Sequence, residues 1–132
     1  MRNIIFSSLS IILMSVVAGS GCKTDPPLVP DEPLKISIDA PSFTTSPGPD
    51  FGINLKVESA MPAGGVKIEY SVKGEIDNQN YSQGPVYYTN NTVSSIIIRN
   101  LPRQTTCICN ITVTSQLRSA NTASTSFRVV YK

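Results

Sequence analysis

The chain has 132 residues with 11 basic and 9 acidic side chains, and it contains neither histidine nor tryptophan. A formal charge of +2, with no basic stripe and no acidic tail, leaves no electrostatic footprint for nucleic acid. Without histidine, the commonest general base and metal ligand is missing.

Arg2 supplies one positive charge, and residues 4–17 form an apolar run diluted by serines. Ala18, Gly19, Ser20 and Gly21 are all small, and Cys22 follows them. This is the layout of a secretory signal ending in a cleavable segment. The run is too short to span a bilayer, which takes about 20 apolar residues. A cysteine at the cut resembles the lipobox of bacterial lipoproteins, whose cysteine is acylated and heads the mature chain. Gly19 departs from that pattern, which usually has leucine three residues before the cysteine. Ordinary cleavage after Ser20 or Gly21 would leave Cys22 as a free thiol. The resemblance implies an acyl anchor on Cys22 and a place in the cell envelope. Lys23 replaces the aspartate that holds many such proteins in the inner membrane, which implies the outer membrane of a Gram-negative envelope. The leaflet stays open.

Residues 22–34 read as the lipidated cysteine and a linker. Pro26, Pro27, Pro30 and Pro33 recur through it, and each fixes φ and removes a backbone donor. Such a segment is a semi-rigid spacer of about 3.1 Å per residue, which gives it a reach of roughly 40 Å.

From Lys35 onward the hydrophobic period is two and no stretch has helical spacing. Ile36 and Ile38 alternate with polar residues, and residues 41–50 have loop composition. Phe51, Ile53, Leu55 and Val57 share one strand face. After a turn over 61–65, Val66, Ile68, Tyr70 and Val72 share another. A polar loop over 74–84 leads to a short strand at 86–89. Asn90 and Asn91 turn the chain into 93–99, where Ile96 and Ile98 face inward. Cys107, Cys109, Ile111 and Val113 line the next strand. Residues 116–122 form a turn, and Phe127, Val129 and Tyr131 close the set. The pattern predicts an all-β domain over 35–132, a seven-stranded antiparallel β-sandwich.

The stretch Leu101, Pro102, Arg103, Gln104, Thr105, Thr106 and Cys107, followed by alternating apolar residues, resembles the corner before strand F of fibronectin type III domains. Leu101 and Thr105 match in spacing, and Cys107 stands at the tyrosine position. Two departures stand out: the corner tyrosine is absent, and so is the core tryptophan that the family usually carries. Without the tyrosine hydroxyl, any hydrogen bond pinning the corner must come from elsewhere. An immunoglobulin-like relative stays open, since Cys109 sits at that family's second cysteine. No cysteine on the 51–57 strand is there to partner it.

Cys107 and Cys109 lie two residues apart on one strand face, with Cα atoms about 6.6 Å apart. Their Cβ atoms then exceed the ~3.8 Å that a disulfide prefers, so they read as small buried hydrophobes. Glu58 and Glu69 occupy outward positions and read as solvated charges. Asp77, Asn78, Gln79 and Asn80 are oxygen-rich but lack the spacing of a calcium loop. No catalytic residues, metal or cofactor follow from these patterns. Tyrosine among Ser, Gly, Asn and Gln is the composition of binding loops. That makes Asn78, Asn80, Tyr81, Tyr87 and Tyr88 the candidate binding residues, with one of the two adjacent tyrosines facing outward. The expected function is a membrane-anchored, non-enzymatic lipoprotein. Its domain would bind a protein or glycan, as a subunit of an envelope complex or an accessory binder. The alternative is a structural spacer or assembly protein of the envelope.

Overall fold

The computed structural model describes residues 32–132. The leader 1–21, the candidate acyl site Cys22 and the linker up to residue 31 lie outside the described residues. The described chain has no helix and nine strands: β1 (Ile36–Ile38), β2 (Phe43–Ser46), β3 (Phe51–Val57), β4 (Val66–Gly74), β5 (Asn80–Tyr81), β6 (Tyr87–Thr89), β7 (Val93–Ile98), β8 (Thr106–Ser115) and β9 (Thr122–Tyr131).

They form two sheets. The first has the order β1-β3-β7, and the second has the order β2-β9-β8-β4-β5 with β6 also paired to β4. Alternation builds the space between them. Ile53, Leu55 and Val57 of β3 and Ile96 and Ile98 of β7 meet Val66, Ile68 and Val72 of β4. Cys107, Cys109, Ile111 and Val113 of β8, with Phe127 and Val129 of β9, complete this core. Burying a side chain of this size contributes roughly 1.5–3 kcal/mol. The two cysteines are free and fully buried. Burial, with Cys107 beside it, pushes the Cys109 thiol up to about 12. Cys107 is also raised, first by burial and then by the Asp77 charge.

The expected seven-strand, all-antiparallel arrangement needs two corrections. Residues 41–50 contain β2, which runs parallel to β9 with Phe43 opposite Arg128 and Ser46 opposite Tyr131. The chain leaves the first sheet after β1, crosses the side of the sandwich and joins the second sheet. β2 also inverts the usual pattern, since Phe43 is 48% exposed while Ser46 is fully buried. The Ser46 hydroxyl is satisfied locally by the carbonyls of Gly48 and Asp50. The second addition is β5, a two-residue strand inside the 74–84 loop that pairs with Val72 and Lys73.

The corner before β8 is pinned without a tyrosine hydroxyl. The Leu101 amide donates to the Pro49 carbonyl, the Gln104 amide donates to the Tyr131 carbonyl, and Leu101 is buried beneath. Gln104 adopts a left-handed φ of 57° to make that turn.

The chain enters at one pole. Asn121 there accepts from the Leu34 amide and donates to the Glu32 carbonyl. The 61–65 turn belongs to the same pole, because the Gln116 amide donates to the Gly65 carbonyl. Gly65 has φ +82°, and a Cβ on it would lie 2.4 Å from the Thr89 carbonyl oxygen, so only glycine fits. The loop after β4, the 99–105 corner and Tyr131 gather at the opposite pole, tied by the bonds Glu75 to Thr106 and Gln104 to Tyr131.

Candidate functional site

The five candidate residues fall in three places. Asn78, Asn80 and Tyr81 sit in the hairpin after β4, at the pole away from chain entry. Asn78 holds a left-handed φ of 55°, and its amide donates to the Gly74 carbonyl. Asn80 is exposed. Tyr81 is half-buried against the core, and its hydroxyl donates to Asp77 Oδ2 at 3.2 Å. Its pKa is raised, first by burial and then by the neighbouring Asp77 charge. Asp77 also accepts the Gln79 amide, so its carboxylate is occupied by its own turn.

Tyr87 and Tyr88 lie on β6, which pairs with the start of β4 near chain entry, Tyr87 opposite Ile68 and Tyr88 opposite Lys67. Both rings are exposed, Tyr87 by 45% and Tyr88 by 62%. Adjacency on a strand predicts one outward ring; the other is exposed as well, because β6 is an edge strand with an open space behind it. Tyr88 borders a shallow depression with Met61, Pro62 and Gly65.

Tyr87 leads to the site that sequence reasoning missed. It lines a cleft of about 260 Å³ between the two sheets, together with Tyr70, Val86, Ile96, Ile97 and Arg99. β4 supplies Tyr70 as the floor, and its hydroxyl would lie 3.2 Å from a Cβ on Gly84. Residues 84–87 form one wall and β7 forms the other. Of its lining, Val86, Tyr87 and Ile97 are between 43% and 45% exposed, and Val93, 52% exposed, lies further along β7 on the solvent face of the first sheet.

The backbone of β7 adds a second feature. Its inner edge pairs with β3, Ile53 opposite Ile96 and Leu55 opposite Ser94. The Val57 amide donates to the Thr92 carbonyl, which fixes the alternation. Thr92, Ser94, Ile96 and Ile98 aim their amides and carbonyls at β3, and Val93, Ser95 and Ile97 aim theirs outward. One turn of that alternation further on, the outward groups of Arg99 are taken by Gln83. The Arg99 amide donates to Gln83 Oε1 at 2.9 Å, and Gln83 Nε2 donates to the Arg99 carbonyl at 2.7 Å. Gln83 thus stands where a neighbouring strand's peptide group would stand. The outward groups of Val93, Ser95 and Ile97 meet no strand among the described residues.

Glu58 and Glu69 behave as face charges, 3.4 Å from Lys56 and Lys67 respectively. No signal in the sequence could have revealed an open edge, since it depends on sheet order. Only Tyr87 pointed toward it. No protein-family profile, curated protein or solved structure matches the chain.

Proposed function

We propose that this chain is a membrane-anchored bacterial lipoprotein, acylated at Cys22, whose fibronectin type III-like domain is a non-catalytic binding module of the cell envelope. The sheet orders β1-β3-β7 and β9-β8-β4 support the fibronectin type III reading, and the parallel β2 is an addition to it. The tethered arrangement is supported by the position of Glu32 and Leu34 at one pole of the sandwich. The segment ahead of Glu32, with a reach of roughly 30 Å, then keeps the domain near its membrane, on the outer membrane by the Lys23 argument.

The observation that carries a binding role is the β6–β7 edge. It joins an apolar cleft, exposed Tyr87 and a run of backbone groups that meet no strand among the described residues. Exposed apolar clusters of this kind mark interaction sites, and the partner class is protein, because backbone groups in a row match backbone groups. A glycan at Asn78, Asn80 and Tyr81 is the second reading, favoured by their place at the pole away from chain entry.

Affinity recovery from detergent-solubilised membranes tests the module. Tyr87→Ala is expected to lose the recovered protein while retaining the wild-type melting temperature, and unchanged recovery would overturn the assignment of the edge. For the anchor, Cys22→Ala is expected to abolish incorporation of labelled palmitate. Equal labelling of wild type and variant would overturn acylation at Cys22.

A further inference from the structure

We propose that the occupant of the β7 edge is a second copy of this chain, joined by antiparallel pairing of β7 with β7 about a twofold axis at Ser95. This names the partner of the edge described above and rests on reading that edge as a binding surface.

The register follows from which groups face outward. Val93, Ser95 and Ile97 present outward amides and carbonyls that meet no strand among the described residues, and antiparallel partners exchange both bonds at such positions. With Ser95 opposite Ser95 of the second copy, Val93 falls opposite Ile97 and Ile97 opposite Val93. All three outward residues are then used on both strands. Any other symmetric register leaves one of them unpaired. The ladder ends naturally at Arg99, whose outward groups are already held by Gln83.

The side chains agree with that register. Val93 and Ile97 lie on the solvent face of the first sheet and are exposed. Pairing places the two Val93 and two Ile97 side chains side by side, and such β-branched cross-strand pairs are favourable. Val86 and Tyr87, on the cleft side, come under the same seam. Charge offers no opposition: residues 93–98 carry none. Arg99, 3.9 Å from Asp50, comes opposite the uncharged Asn91 of the second copy. Edge strands that must stay single are usually guarded by lysine, proline, a bulge or short length. The six residues of β7 show none of these devices. The result is one sheet continuous across both copies, β1-β3-β7 followed by β7-β3-β1.

The twofold axis is normal to the joined sheet, so the two linkers leave from its opposite ends. A tether of roughly 30 Å ahead of Glu32 allows both anchors to reach one membrane with the sheet lying along it.

The test uses the full chain in detergent micelles. Opposed residues of a hydrogen-bonded antiparallel pair have Cα atoms about 5.5 Å apart, within the range a disulfide spans. Ser95→Cys is expected to cross-link under mild oxidation, with a 95–95 disulfide found by mass spectrometry. Asn54→Cys, one strand further from the axis in each copy, is expected to stay at the wild-type level. Ser95→Pro removes an outward amide without removing a bond to β3, and is expected to weaken dimerisation at least tenfold by sedimentation. A monomeric wild type, or Ser95→Cys cross-linking no more than Asn54→Cys, would overturn the pairing. Should that occur while Tyr87→Ala still loses a membrane protein, the edge remains a binding surface for a different partner. If neither holds, the edge reading falls with the pairing.

Discussion

The two lateral sides of this sandwich are built differently. On one side the chain steps from β1 to β2, so that the opening between the sheets is spanned by the chain itself. The strands there are short, three and four residues, and prolines stand at 33, 41, 47 and 49. On the other side β7 runs for six residues with no proline and no charge, beside a cleft and exposed Tyr87. The contrast teaches that this chain has the means to blunt an edge and applies them to one side only. Among the described residues, a glutamine clip at Arg99 covers the other.

If stability resides on the closed side and binding on the open one, substitutions should separate the two. Phe127, 2% exposed and packed at 6.2 Å from the Phe51 ring, anchors the core from β9, the strand that also holds β2. Phe127→Ala is expected to cost about 3–5 kcal/mol in chemical denaturation. Tyr87→Ala on the open side is expected to change stability by no more than about 0.5 kcal/mol. Comparable losses would erase the distinction.

The central strands sharpen the same point. Cys107→Ser places a hydroxyl in an apolar site and is expected to destabilise by about 1–3 kcal/mol. In the native protein the Cys107 and Cys109 thiols should resist alkylation at pH 8, since Cys109 is held at about 12 and Cys107 is raised. Both should react once the chain is denatured. Fast native alkylation at either would show that β8 opens as readily as an edge.

The sequence was legible where one face is apolar and the other polar. β3, β4 and β8 were readable for this reason, as was the burial of both cysteines. β9 was readable only from Phe127 onward, because its first half places Ala123 and Thr125 inward, and small residues leave little contrast between faces. β2 escaped because its exposed residue is phenylalanine and its buried one is serine. The composition of Asn78, Asn80 and Tyr81 marked a loop correctly, yet Tyr81 turns toward the core and its hydroxyl is used by Asp77. The cleft was hidden because Ile96 and Ile97 look alike in sequence. Which of them meets solvent, and which edge lacks a neighbour, depends on pairings made 40 residues away.

The glutamine clip offers a finer cut. Gln83→Ala loses hydrogen bonds to Arg99 and to the Tyr81 carbonyl, at an expected cost of about 1–2 kcal/mol. It also frees the outward groups of Arg99 and lengthens the open edge. Denaturation curves give the first effect, and sedimentation of the same variant gives the second, an expected gain in dimer. A loss of dimer would show that the clip shapes the edge instead of ending it.

Acid should act on the closed side. Hydrogen bonds from the Asn54 amide, and then from its side chain, lower the Asp39 pKa below 3.8. A bond from the Ser37 hydroxyl, with Lys56 nearby, lowers that of Glu58 below 4.5. A depressed folded pKa means that the stabilisation is present above the unfolded value and is lost as pH falls through the folded one. The tie between β1 and β3 is therefore expected to loosen slightly below about pH 4, and Asp39→Asn should remove part of that dependence in melts at pH 7 and pH 3. The effect is small because both carboxylates face solvent.

Residue-resolved hydrogen exchange on the full chain in detergent, at high and low protein concentration, compares the two edges directly. The Val93, Ser95 and Ile97 amides should be protected in concentrated protein and lose at least tenfold of that protection on dilution. The outward amides of Ile36 and Ile38, on the guarded edge, should exchange quickly at both concentrations. Fast exchange at Ser95 and Ile97 regardless of concentration would contradict an open edge that takes a second copy.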